Sequence, residues 1–339
     1  NIISLEELDG TIFAGSYKYG IYFSKDGGEN WEKAGLDTLS IYSLSTLNGA
    51  IYAGSIMSGI YKSTDKGKVW GLKGLSPAYF YDLTTDAQHN LYAGTCCFGV
   101  QKSSNYGKSW EYFGLMDVIS SVVAIDNTII AGTNDNGIFS TSDGGQTWIQ
   151  AGPLDLLITG LTVKNNVIYA STDTLGIYKS IDNGVNWIQA GLNNKSISFL
   201  SSNDANIYAA TEQNEIYLST DNGNSWALQY TFVLGLSDLK CDNNNLYVAT
   251  KQDGVYRSSD NGSTWKSIGL NSKWVDNLCL YKGNIIAGTY YNGIYLTHDE
   301  GTVWNHIGFD TTSITKLLVD NNYLYAQENL TGLYRITLE

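Results

Sequence analysis

Apolar and polar residues alternate in short bursts along almost the whole chain. From Ile41 to Leu47 apolar Ile41, Tyr42, Leu44 and Leu47 are interspersed with polar Ser43, Ser45 and Thr46 in rough alternation, and Asn48-Gly49 follows as a turn. The next burst, Ile51-Tyr52-Ala53-Gly54-Ser55, ends in a short loop. A third burst, Ile60–Ser63, runs into a polar turn that leads to a fourth, from near Trp70 to Gly74-Leu75. Period-two alternation broken by Asn, Gly and Asp turns is the signature of antiparallel hairpins. The pattern predicts four strands, A to D, in about forty residues, the length of a propeller blade.

The bursts repeat. The strand B marker begins at Ile12, Ile51, Leu91, Ile129, Ile168, Ile207, Leu246, Ile285 and Leu324, at a spacing of 39 residues with one step of 40 and one of 38. After each of the first eight copies comes Ser/Thr-x-Asp-x-Gly-x-x-Trp. Its acids are Asp26, Asp65, Asp143, Asp182, Asp221, Asp260 and Asp299, with Asn105 standing in once. Its tryptophans are Trp31, Trp70, Trp110, Trp148, Trp187, Trp226, Trp265 and Trp304. Nine A–B–C sets and eight D strands predict an all-β chain: one β-propeller domain over residues 1–339, made of four-stranded antiparallel blades. Nine blades are favoured over eight, the last carrying three strands. One sheet cannot bury both faces, whereas sheets stacked side by side can. The small Ala-Gly pair on strand B would let neighbours approach closely.

The box residues suit a turn. A carboxylate two residues after a hydroxyl accepts backbone N–H bonds, the glycine takes positive φ, and the indole packs on the sheet. Asn105 keeps the acceptor and loses the charge, which fits a structural role. Eight copies spread around a ring cannot converge on one substrate.

By these boxes the chain resembles the Asp-box, or bacterial neuraminidase repeat, propellers over its full length. That group includes sialidases, oligoxyloglucan-type glycosidases, sortilin-type receptors and photosystem II assembly propellers, so the resemblance implies a fold and leaves function open. Sialidases clamp their substrate with three arginines and use a Tyr/Glu nucleophile pair. This chain has two arginines, Arg257 and Arg335, at the same repeat position, so the triad is missing. The basic patch expected of a photosystem-assembly propeller is missing too.

Composition narrows the choice. The net charge of −13 argues against nucleic acid and anionic membranes, and no stretch of 18 apolar residues predicts a membrane span. With 16% charged residues and 25 tyrosines, most of the surface is neutral and polar. That balance points to an extracellular or cell-surface protein, with the periplasm as another setting. Cys96, Cys97, Cys241 and Cys279 show no metal spacing and read as free thiols. His89, His298 and His306 fall on different strands or blades, so no metal site and no cofactor is expected.

Chain direction alternates between strands, so B–C and D–A loops open on one face and the boxes on the other. The B–C loops vary from repeat to repeat, which makes that face the place for recognition. Its aromatic candidates are Tyr17, Tyr19, Tyr290 and Tyr291 in B–C loops, with Trp274 and its counterpart Tyr79 in D–A loops. Ring closure is expected to bring repeats eight, nine and one together, gathering Tyr290 and Tyr291 with Tyr17 and Tyr19 on either side of Asn329. The function expected is a non-enzymatic binding or scaffolding module for a protein or glycan, with membership of a larger exported assembly as a further setting. The alternative is a polysaccharide-active glycoside hydrolase, for which Asp117, Asp135, Asp155, Asp173, Glu212 and Asp253 are the loop-face acids.

Overall fold

The computed structural model describes residues 2–47, 49–55, 59–74, 80–107, 109–152, 155–242, 245–320, 322–328 and 332–338. Among them there are nine antiparallel sheets, eight of four strands and one of three, and no helix. In the second repeat the strands are Ile41–Leu47, Ala50–Ser55, Gly59–Ser63 and Gly71–Gly74, within a residue or so of the alternation pattern. Each repeat is one propeller blade, and the nine sheets match the nine copies.

The chain divides into two compact units. One comprises residues 1–78 with 330–332, the other 79–329 with 333–339. The first holds blades one and two, whose A strands, Ile2–Leu8 and Ile41–Leu47, pack side by side. Phe13, Ile21, Ile41, Ile51 and Ala53 fill the space between them.

The second unit holds blades three to nine. Their A strands are Phe80–Thr85, Ile119–Ile125, Ile158–Lys164, Ile197–Ser202, Leu236–Cys241, Val275–Tyr281 and Ile314–Asp320. Each lies against the next, and the last lies against the first. These seven blades therefore close a ring on their own. The closure carries an ion pair, Lys316 Nζ to Asp82 Oδ1 at 2.8 Å, and a His89–Asp320 contact at 3.0 Å. Within this unit repeat nine meets repeat three. Identical-looking repeats say which sheets can stack, but the wedge angle between them decides after how many the circle meets itself.

Two devices hold adjacent blades together. Strand B glycines allow close approach: a Cβ built on Gly132 would stand 2.5 Å from Ile158 Cγ2 of the next blade. The A strands carry a bulge at their second residue, which re-aims side chains. The bulge hydroxyls of Ser120, Thr159 and Ser237 donate to the carbonyls of Ile158, Ile197 and Val275, one blade on. At the next position, Asp82, Ser121 and Asp238 accept the backbone N–H of Val122, Leu161 and Leu278.

The boxes are built as expected. In all eight the Ser or Thr hydroxyl donates to the Asp or Asn oxygen, for example Ser180 Oγ to Asp182 Oδ1 at 2.8 Å and Ser103 Oγ to Asn105 Oδ1 at 3.0 Å. That oxygen accepts the N–H four residues on, such as Asn186 N at 2.9 Å, and the hydroxyl accepts the box glycine N–H, such as Gly184 N at 2.9 Å. Hydrogen bonds from the turn hold the Asp143, Asp182, Asp221 and Asp260 carboxyls down to about 2. The indoles are less buried than their role suggests. Trp70, Trp148, Trp226 and Trp304 lie half-buried on the rim, each donating Nε1–H to a carbonyl of the preceding blade. Trp31, on the first blade, is 41% exposed and donates its indole N–H to Gly28 O of its own box at 3.0 Å.

Candidate functional site

The seven A strands surround a central cavity of about 330 Å³. Its wall is polar, with Asp82, Ser121, Asp238, Lys240, Asn277 and Lys316 among the lining residues. Most of these groups are engaged with one another. Burial works to raise the Asp82 carboxyl, but Lys316 and hydrogen bonds from Val122 and Ser121 hold it below its ordinary value. The wall is thus part of the scaffold.

On the loop face of blade eight the arrangement changes. Tyr290 N–H donates to the Trp274 carbonyl at 2.9 Å, fastening the B–C loop to the D–A loop. The same tie occurs at Asn134–Val118, Asp173–Leu157, Glu212–Ser196 and Lys251–Gly235, so it belongs to the repeat. What differs is the cargo. Trp274 and Tyr290 stack with ring centroids 4.6 Å apart and an interplanar angle of 30°. Tyr291 meets Tyr290 edge-on at 4.1 Å, and the two hydroxyls are hydrogen-bonded at 3.2 Å. Trp274 and Tyr291 remain 39% and 58% exposed. Tyr291 sits at φ +68°, a conformation that bulky residues avoid.

Beside the row lies Asp276, the bulge residue of its A strand. Blades four to seven and blade nine carry Ser or Thr there, whereas Ile3, Tyr42 and Tyr81 hold the position in blades one to three. A carboxylate cannot donate to the neighbouring carbonyl as those hydroxyls do, and Asn277 Nδ2 takes over that bond, to Ile314 O at 2.7 Å. Asp276 instead accepts the Trp274 indole N–H and feels Lys251. Burial outweighs both and pushes its carboxyl up to about 6. A groove of about 640 Å³ runs from Asp276 past Phe199, Glu212, Asn214 and Lys251. Asp276 was legible only by aligning repeats, as an acid among hydroxyls.

The remaining sequence candidates scatter. Tyr17 and Tyr19 are exposed and belong to the two-blade unit. Tyr79 and Asn329 lie outside the described residues. Asp117 and Asp253 serve their own loops, accepting Asn136 Nδ2 at 2.8 Å and the Tyr256 hydroxyl at 2.7 Å. Among the described residues no group of acids, histidines or cysteines could hold a metal, and all four cysteines are thiols. No helix is long and apolar enough to cross a membrane.

Blades and boxes together define the class: a β-propeller-repeat protein of the Asp-box type. The family model of the BNR/Asp-box repeat matches residues 22–33, the first box. Solved structures share the fold at low identity. A structure of YCF48 bound to D1 peptide superposes with a TM-score of 0.66 at 16% identity, covering 79% of this chain and 96% of that one. The GH74 xyloglucanase from Xanthomonas campestris gives 0.70 at 15% identity, covering 96% of this chain, which spans 57% of the enzyme. The extracellular domain of the hybrid two-component system BT4673 from B. thetaiotaomicron gives 0.56 at 15%, with 98% of this chain and 56% of that one covered. Comparison with curated protein sequences found no match.

Proposed function

We propose that this chain is a non-enzymatic binding module that grips an extended partner, a peptide segment or a glycan, across the Trp274–Tyr290–Tyr291 row. The carrying observation is that three rings from two loops stand together, partly exposed, at the edge of a groove. Such rings stack on sugars or anchor side chains at little cost in conformational entropy. Glu212, Asn214, Lys251 and Asp276 supply hydrogen-bonding groups along the groove. The YCF48 structure, of the same fold, holds a peptide, which supports a protein partner over a glycan. The acidic, neutral-polar composition supports an extracellular or cell-surface setting.

The test is a screen of immobilised peptide and glycan libraries, followed by titration of the hits. Trp274→Ala and Tyr291→Ala should each weaken a genuine hit by about tenfold or more while leaving the melting temperature near that of the parent. Hits indifferent to both substitutions remove the site.

One observation favours a second reading, a polysaccharide-active hydrolase. A carboxyl pushed to about 6 can donate a proton near neutrality, and Glu212 lines the same groove. Reducing sugar released from plant or microbial glycans, and abolished by Asp276→Asn, would support it over simple binding.

A further inference from the structure

Blade three carries two adjacent thiols in its B–C loop, Cys96 and Cys97. The loop is clasped at its base. Thr95 donates both its N–H and its hydroxyl to the Gly99 carbonyl, at 3.2 and 2.9 Å, and the Phe98 N–H donates to the Thr95 hydroxyl at 2.9 Å. The Gln101 side chain adds a bond to the Phe98 carbonyl at 2.6 Å. Thr133, Thr172, Thr250 and Thr289 clasp Gly137, Gly176, Gly254 and Gly293 in the same way, so the clasp belongs to the scaffold. The pair of thiols is found on this loop alone. With the base fixed, the Cys97 thiol donates to Cys96 Sγ at 2.9 Å, Cys97 being exposed and Cys96 half-buried.

We propose that Cys96 and Cys97 are a redox site: they close to a vicinal disulfide by exchange with a small-molecule disulfide, and they reopen with a dithiol. The thiolate is the attacking form, and Cys97, the more exposed, meets the small molecule first. Its sulfur attacks one sulfur of the small disulfide, that S–S bond breaks, and the first small thiolate leaves. Cys96, deprotonated in turn, attacks the Cys97 sulfur and expels the second. The two protein thiols lose two electrons and two protons, and the small disulfide takes them up as two thiols. Proximity drives the second step: with the sulfurs already 2.9 Å apart, ring closure outruns attack by another small molecule. Chain neighbours joined by a trans peptide, as here, have Cα atoms about 3.8 Å apart, less than the roughly 4.4–6.8 Å that an ordinary disulfide spans. The closed ring is therefore under tension and is readily reduced, unlike a structural disulfide. Cys241 and Cys279 take no part, because burial on their A strands pushes both thiols up to about 11. The site lies on a different blade from the Trp274 row and does not depend on it.

The experiment incubates the intact chain with oxidised glutathione in mildly alkaline solution, blocks the remaining thiols with iodoacetamide after unfolding, and weighs the peptides of a digest. The peptide that holds Cys96 and Cys97 should carry neither glutathione nor an alkyl group and should be lighter by two hydrogens, while Cys241 and Cys279 are alkylated. Dithiothreitol added before the block should restore alkylation at both loop cysteines. Cys96→Ser stops the reaction at its first step, so this variant should retain at least about tenfold more glutathione on Cys97 than the parent loop does. A parent loop that keeps glutathione, stays open to iodoacetamide at both cysteines or links to a second chain overturns the proposal, as does a Cys96→Ser variant that holds no more glutathione than the parent.

Discussion

Asp276 is the residue at which scaffold logic gives way to something else. Every hydrogen bond that its bulge position normally contributes to the ring has passed to Asn277, and the carboxyl is left between an indole, a lysine and the groove. Its folded pKa of about 6 lies above the ordinary carboxylate value of 3.8. The native state therefore holds the proton longer than the unfolded chain, and stability falls as pH rises from about 4 to 6. Asp276→Asn removes that loss and can still accept the indole N–H. It should raise the melting temperature by roughly 2–4 °C at pH 7 and leave it unchanged below pH 4. A variant that melts lower at pH 7 would mean that the charge is held favourably after all. The box carboxylates behave oppositely. Their pKa values are depressed, so their contribution is complete above about 4 and fades as pH drops toward 2.

At the scale of strands and blades, the small residues of strand B set the spacing. Gly132 faces Ile158 of the next blade with no room for a methyl group. Gly132→Ala should cost about 1–3 kcal/mol by overpacking, measured by urea unfolding. Gly160→Ala, whose Cβ would meet only the Ser171 hydroxyl at 3.2 Å, should cost far less. Similar losses for the two would show that strand propensity, not blade spacing, controls the effect. Alternation and turn residues predicted these strands well because both are local: a side chain's face follows from parity, and the box closes within eight residues. Legibility ended at contacts between loops. Trp274 and Tyr290 are sixteen positions apart, and only the D–A to B–C tie brings them into register. Asp276 carries no motif at all, and its altered chemistry comes from burial by neighbours on other strands.

For the molecule as a whole, the consequential event is closure of blades three to nine. Lys316 and Asp82 meet across that junction, with Asp82 also receiving Ser121 and Val122. Lys316→Met should leave a partly buried carboxylate without its cation and cost about 2 kcal/mol at pH 7. Because the Asp82 pKa is lowered in the fold, the difference from the parent should shrink as the solution is acidified below pH 4 and the carboxyl is protonated. An undiminished difference in acid would mean that the lysine acts through packing alone.

Strand order, blade count, box geometry and the loop face were determined by the sequence itself, since each rests on contacts within one repeat or between a repeat and its immediate successor. Which blades meet to complete a circle, which rings share a row, and which carboxyl is driven toward neutral pH were decided by the tertiary structure. These depend on small angles summed over seven sheets and on the dielectric surroundings made by residues far apart along the chain, and a local pattern carries no record of either.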